Sequence, residues 1–334
     1  MKNFSVKKVR IVCVAAMLLL CSFFAAGCGN GTKESAPVRV GAMKGPTTIG
    51  LLELMKAAEN GTADNDYTFT MATGADELTP LMVKGELDIA LVPANVAAVL
   101  YNKTEGGICV IDVNTLGVLY MISGTPDINC FGDLKGQTIY LTGKGTTPDY
   151  VLQYLLAQNG ISTEEVNLEY RSEATEVAAL LAENPDGIGL LPQPFVTVAC
   201  SQNEQLSVCL SMTEEWEKVQ GESGSSLLTG VTVVRKEFLQ ENPEAVEIFL
   251  MEHAQSTAYV ESNLDETAAR CVETGIIAKE PIAKKAIPFC NITCLTGEEM
   301  KQALSGYLNV LYGFDAQTVG GKLPGDDFYY IGNQ

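Results

Sequence analysis

Gln137-Thr-Ile-Tyr-Leu141 followed by Thr142-Gly-Lys-Gly-Thr-Thr-Pro-Asp149 reads as a short β-type run, a glycine turn and a helix start. Thr147 is placed to cap that helix, Pro148 to open it, and Asp149 falls in its first turn, where a carboxylate suits the exposed amides. A near copy stands earlier in the chain, where Val38-Arg-Val-Gly-Ala-Met43 runs into Lys44-Gly-Pro-Thr-Thr48. Each motif follows the first strand of a unit, so the chain reads as one construction used twice.

Outward from the two motifs, β-type runs alternate with helical periods. In the first unit Tyr67–Met71, Ile89–Val92, Ile108–Asp112 and Val118–Ser123 read as further strands, with helices over Thr48–Glu59, Glu77–Lys84 and Asn95–Tyr101. In the second, Asn167–Arg171, Gly187–Leu191 and Leu206–Met212 read as strands, with helices over Pro148–Gln158, Ala174–Leu181 and Phe195–Ser201. Strands that alternate with helices imply an α/β fold of mainly parallel sheets covered by helices, here in two lobes with a cleft between them. After the Gly/Ser-rich stretch Gly221–Ser226 one more strand, Thr229–Val234, precedes a mostly helical tail. A returning strand implies that the C-terminal part completes the first unit. The expected division is residues 37–121 with 228–334 as lobe 1, and 122–227 as lobe 2.

Length agrees, since 334 residues exceed one typical core. Apolar residues are 46% and charged residues 19%, a composition that excludes a wholly disordered chain. The net charge of −19 speaks against a nucleic-acid partner, which needs basic patches. The single histidine, His253, excludes imidazole-rich metal sites and mechanisms that need two histidines. It stands in the middle of a helical period, as a surface or packing residue. Trp216 reads as a helix anchor. There is no Gly-x-Ser-x-Gly elbow, no His-Glu-x-x-His and no Walker phosphate loop. No catalytic residue, metal or cofactor is expected.

The first residues read as an address. Lys2, Lys7, Lys8 and Arg10 precede the apolar run Ile11–Ala26, which is too short for a permanent span of about 20 residues. Phe24-Ala-Ala-Gly-Cys28 resembles a bacterial lipobox. The resemblance implies that residues 1–27 are a lipoprotein signal peptide and that Cys28 carries a diacylglycerol and an acyl chain such as palmitate. Residues 28–36 then form a flexible tether. Removing 1–27 takes away four of the 22 basic residues and none of the 41 acidic ones, so the net charge falls to −23. Acyl chains, not charge, would hold so acidic a protein on the outer face of the cell membrane. Three of the ten cysteines fall at or before position 28. The seven left are an odd number with no zinc spacing, and several sit in apolar runs as small buried groups.

In open α/β sheets ligands bind beyond the carboxyl ends of strands, at helix starts. Four such joints stand out: Met43–Thr48, Val92–Asn95, Leu141–Asp149 and Leu191–Phe195. Each reads as plain helix capping or as part of a ligand site. The candidate ligand-binding residues are Lys44, Gly45, Thr47, Thr48, Asn95, Lys144, Gly145, Thr146, Thr147 and Gln193. Hydroxyls, an amide and two lysines suit a small molecule with a polar or anionic head, or a neutral heterocycle.

These motifs together carry a resemblance. The lipobox, Val38-Arg-Val-Gly-Ala42, Lys84-Gly-Glu-Leu-Asp-Ile-Ala-Leu-Val-Pro93, Asp133-Leu-Lys-Gly-Gln-Thr-Ile139, Leu191-Pro-Gln-Pro-Phe195 and the closing Gly320–Tyr330 are similar to solute-binding lipoproteins of ABC importers, of the nitrate/sulfonate/taurine type. The resemblance implies a type II periplasmic-binding-protein fold. It also implies a monomer that captures a sulfonate- or pyrimidine-like molecule by hinge closure and delivers it to a permease with its ATPase. Position 193 is often glutamate in similar proteins, and the glutamine here removes a charge. The same fold serves menaquinone-pathway and thiamin-pyrimidine enzymes, and a tethered sensor without transport is a third reading.

Overall fold

The structure is a computed structural model that describes residues 37–221 and 225–332. The segment 1–27, Cys28 and the tether through residue 36 lie outside the described residues.

The first sheet begins where the sequence places it. β1 (Pro37–Met43), β2 (Asp66–Ala72), β3 (Ile89–Pro93) and β4 (Ile108–Leu116) alternate with α1 (Pro46–Ile49), α2 (Leu52–Glu59), α3 (Ala75–Val83) and α4 (Ala94–Lys103). The second sheet holds β5 (Leu119–Ser123), β6 (Thr138–Leu141), β7 (Asn167–Tyr170), β8 (Ile188–Pro192) and β9 (Ser207–Ser211). Its helices are α5 (Thr147–Gln158), α6 (Ala174–Glu183), α7 (Phe195–Gln202) and α8 (Met212–Gln220). The chain then returns as β10 (Leu228–Arg235). The tail follows with α9 (Lys236–Glu241), α10 (Pro243–Ser262), α11 (Leu264–Glu273), α12 (Glu280–Ala286), β11 (Ile292–Leu295) and α13 (Gly297–Phe314).

The strand orders are β11-β4-β10-β3-β1-β2 and β7-β6-β8-β5-β9. Among the named strands, parallel pairing is confined to β2-β1-β3 and β7-β6-β8, and every other join is antiparallel, so both sheets are mixed. The expected mainly parallel sheets describe these three-strand groups alone. Chain direction gives the reason. β3 and β8 end at the edge where the sheets meet, whereas β10 and β5 start there after crossing from the other sheet, so each must run against its neighbour. The first crossing falls at Gly117-Val118. The expected boundary at residue 121 cuts through β5, which pairs along its whole length with β8.

Central strands are buried on both faces because helices cover both, and β3 is apolar throughout. β3 and nearly all of β4 are buried, while edge strand β2 alternates. One cluster packs Val92, Val110 and Val231 of the first sheet with Met121, Ile139 and Leu190 of the second, sealed by Tyr307 and Leu308 of α13. A second cluster sets Val40, Ile89 and Ile111 against Phe249 of α10. Asp88 ties the far end of the first sheet. Its carboxylate takes Arg39 Nη2 at 2.6 Å and Nε at 2.8 Å, and Arg235 Nη2 at 2.9 Å. No helix among the described residues is long and apolar enough to cross a membrane. No disulfide joins the seven described cysteines, and Cys109, Cys271 and Cys290 are buried as packing groups.

Candidate functional site

The carboxyl ends of the parallel strands of both sheets face one cleft of about 580 Å³. From the first sheet come Met43–Thr47 after β1, Thr73–Asp76 after β2, and Pro93 at the end of β3. From the second come Thr142–Lys144 and Thr146–Pro148 after β6, Arg171–Thr175 after β7, and Pro192 with Phe195 after β8. Leu119 and Thr229, at the starts of the two crossing strands, also line the cleft.

Each wall is rigid for a local reason. Gly143 and Gly145 have φ of 72° and 75°, the left-handed region that glycine enters without strain. Between them the loop closes on itself, with Thr146 Oγ1 donating to Gly143 O at 2.6 Å. Gly145 N donates to Asp149 Oδ2 at 2.8 Å. Asp149 also accepts from Tyr170 Oη at 2.7 Å and Gln153 Nε2 at 2.6 Å. Burial, then the Asp149 hydrogen bond, pushes the Tyr170 hydroxyl well above its ordinary value, so it remains a donor. On the opposite wall Glu77 Oε1 gathers Thr73 Oγ1, Thr73 N and Gly74 N. The Thr73 hydroxyl, then its amide, hold that carboxyl below the ordinary range.

Electrostatics are mixed on both walls. Lys44, Lys144 and Arg171 line the cleft with Asp76 and Glu173. Lys144 Nζ stands 5.2 Å from the centre of the Tyr170 ring, and Arg171 lies 5.2 Å from that of Tyr140 while pairing with Glu169 at 2.9 Å. The N-termini of α3, α5 and α6 open onto the cleft and add partial positive charge. α1 is a single turn, so the first motif contributes side chains instead. Thr47 is 3% exposed, and its hydroxyl has no hydrogen-bond partner among the described residues. Thr229 Oγ1 likewise has none. An unpaired buried hydroxyl costs about 1–3 kcal/mol, a cost that a bound acceptor removes.

Of the expected residues, the cleft brings together Lys44, Gly45, Thr47, Lys144, Thr146 and Thr147. Gly145 lines an adjoining groove between α3, α4 and the 145–146 turn. Thr48 turns inward and donates to Met43 O. Asn95 is fully buried, donating to Thr318 O at 3.2 Å and accepting from Thr147 Oγ1 at 3.3 Å, so it joins the walls behind the cleft. It is not an N-cap, because α4 begins one residue earlier. Gln193 is 4% exposed and accepts from Thr197 Oγ1 at 2.9 Å instead of reaching the cleft. Thr73, Asp76, Arg171, Ser172, Thr175 and Thr229 line it and were not expected. The signal for most of them was present. Ala72-Thr-Gly74 and Arg171-Ser-Glu173 are strand-to-helix joints of the same kind as the four singled out.

Residues 108–267 match the family model described as NMT1/THI5 like. Among solved structures, an ABC transporter protein from Parabacteroides distasonis is 25% identical. The match covers 88% of this chain and 98% of that one, at a TM-score of 0.72. The periplasmic aliphatic sulphonate binding protein SsuA from Escherichia coli is 13% identical, covering 87% and 95%, at 0.68. The periplasmic nitrate-binding protein NrtA from Synechocystis PCC 6803 is 13% identical, covering 86% and 84%, at 0.64. The fold is that of a type II periplasmic binding protein. No curated protein matches the chain by sequence. The NMT1/THI5-like match spans β4 to α11 and so takes in Lys144, Thr146 and Thr147 but not Lys44–Thr47. One wall of the cleft therefore lies inside the matched region and the other outside it.

Proposed function

We propose that the chain is an extracytoplasmic solute-binding lipoprotein of an ABC importer. It holds a small organic molecule with one polar or anionic head and delivers it to a permease coupled to an ATPase. In this reading residues 37–118 with 228–332 form one lobe and 119–227 the other, and the lobes close on the ligand. Cys28, outside the described residues, is the lipidated anchor. The observation that carries the reading is the buried Thr47 hydroxyl. It sits unpartnered in a cleft whose walls come from both sheets, between Lys44 on one side and Lys144 with the α5 N-terminus on the other. The lining includes no histidine and no cysteine among the described residues, which supports binding over chemistry that draws on either side chain.

A thermal-shift screen of sulfonates, carboxylates and pyrimidines, with native mass spectrometry of the purified protein, identifies the class. Any hit raises the melting temperature by mass action. Thr47→Val then weakens that hit roughly 10- to 100-fold, the worth of one hydrogen bond to a charged acceptor. Unchanged affinity in Thr47→Val removes this cleft as the site.

A further inference from the structure

Away from the cleft, three side chains of different chemistry meet, two of them fully buried and Cys294 half-buried. Asp112 lies on β4, His253 in the middle of α10, and Cys294 on edge strand β11. Their donor atoms all lie within 4.8 Å of one another. Asp112 and His253 are both 0% exposed, and Asp112 Oδ2 stands 3.1 Å from His253 Nδ1. We propose that Asp112, His253 and Cys294 form a buried site for a zinc-class divalent cation that clamps β11 and α10 onto β4.

Carboxylate, imidazole and thiolate are the donor set of zinc and its neighbours. Metal–ligand bonds of 2.0–2.3 Å put tetrahedral ligands about 3.4 Å apart, so donor atoms that lie within 4.8 Å of one another reach three corners around one ion by closing up to about 1.4 Å. Charge balances, because one carboxylate and one thiolate neutralise a divalent cation, which a buried site requires. A supporting layer is in place. Asp112 Oδ1 accepts from Thr232 Oγ1 at 2.7 Å, and Thr232 Oγ1 accepts from Asn114 Nδ2 at 3.1 Å, which fixes the carboxylate. The imidazole is steadied against Phe249, ring centres 5.5 Å apart.

His253 Nε2 and Thr257 Oγ1 are both buried without partners. A Cβ on Gly50 would lie 3.5 Å from the first and 3.2 Å from the second. Binding exchanges the ion for the Cys294 thiol proton, which leaves to solvent. The ring proton moves from Nδ1 to Nε2, on the side where Thr257 Oγ1 offers an acceptor. The competing description is an Asp–His pair with a thiol that merely packs beside it.

Chelator-stripped protein titrated with Co²⁺ separates the two. The proposal expects one equivalent to bind with a thiolate-to-cobalt charge-transfer band, displaced by Zn²⁺. The band disappears in Cys294→Ser and persists in Cys130→Ser, which removes the exposed thiol. Thr232→Val weakens binding roughly 10- to 100-fold, as for other supporting residues. Should Cys294→Ser fail to fold, peptide mapping of the wild type reads whether Zn²⁺ shields Cys294 from alkylation. No band with wild-type protein, a band that survives Cys294→Ser in folded protein, or no shielding overturns the proposal.

Discussion

Asp88 is 1% exposed and carries its charge among strands, so its stability depends on its partners. Burial by itself raises its carboxyl, but hydrogen bonds from the Arg39 side chain and amide and from Arg235 outweigh that and hold it below its ordinary 3.8. A lowered folded value means a contribution that is complete above 3.8. It is lost as the pH falls below that value through the folded one. Asp88→Asn is expected to cost about 3 kcal/mol at neutral pH, read by urea unfolding. The variant should also lack the part of the wild type's acid sensitivity that lies below 3.8, read from melting temperature against pH. A single residue also marks where patterns in the sequence stop being informative. His253 reads there as a surface or packing residue, and the structure places it fully buried and bonded to Asp112. The two are 141 positions apart, so no local period could join them.

At the scale of elements, the tail helix α13 is the seal between the sheets. Trp216 of α8 lies 5.0 Å from the Tyr154 ring of α5 and 5.5 Å from the Tyr307 ring of α13, and its indole donates to Ser225 O at 2.7 Å. Trp216→Ala removes a fully buried ring and is expected to cost about 3–5 kcal/mol in denaturant unfolding. A loss well under that range would mean that α13 packs without it. The anchor role of Trp216 was readable because one indole among charged helix residues has few other uses. β11 was not. Ile292-Thr-Cys-Leu295 is too short to show a period, and it becomes a strand only because β4 offers a free edge. The helix expected over Thr48–Glu59 likewise breaks into α1 and α2 around Gly50, where Ile292, Thr257 and His253 press closely.

For the whole molecule, two sheets that share a cleft and are joined by the crossings at 117–118 and before 228 should populate open and closed forms. A ligand found in the thermal-shift screen is expected to shrink the radius of gyration in solution scattering, and tight binding without shrinkage points to a rigid pocket instead. The anchor is tested separately. Cys28→Ala should abolish metabolic fatty-acid labelling and either release the protein from membranes or leave an uncleaved precursor, and a wild type that takes up no label ends the lipoprotein reading.

The sequence by itself determined the two α/β units and their returning strand, because strand and helix periods and helix-start chemistry act over a few residues and are written locally. It also located both lysine–glycine–threonine turns, whose glycines, prolines and hydroxyls must satisfy backbone amides wherever they occur. The tertiary structure alone decided which hydroxyl at each turn faces the cleft. Thr47 and Thr48 are neighbours of one type, yet Thr48 bonds back to Met43 while Thr47 is left unpaired in the cleft. Asn95 and Gln193 were drawn from the cleft into the walls by partners at Thr318 and Thr197. The antiparallel joins and the Asp112–His253–Cys294 cluster were settled the same way. Both depend on which segments the closed fold brings together from far apart in the chain, and no short-range pattern encodes that.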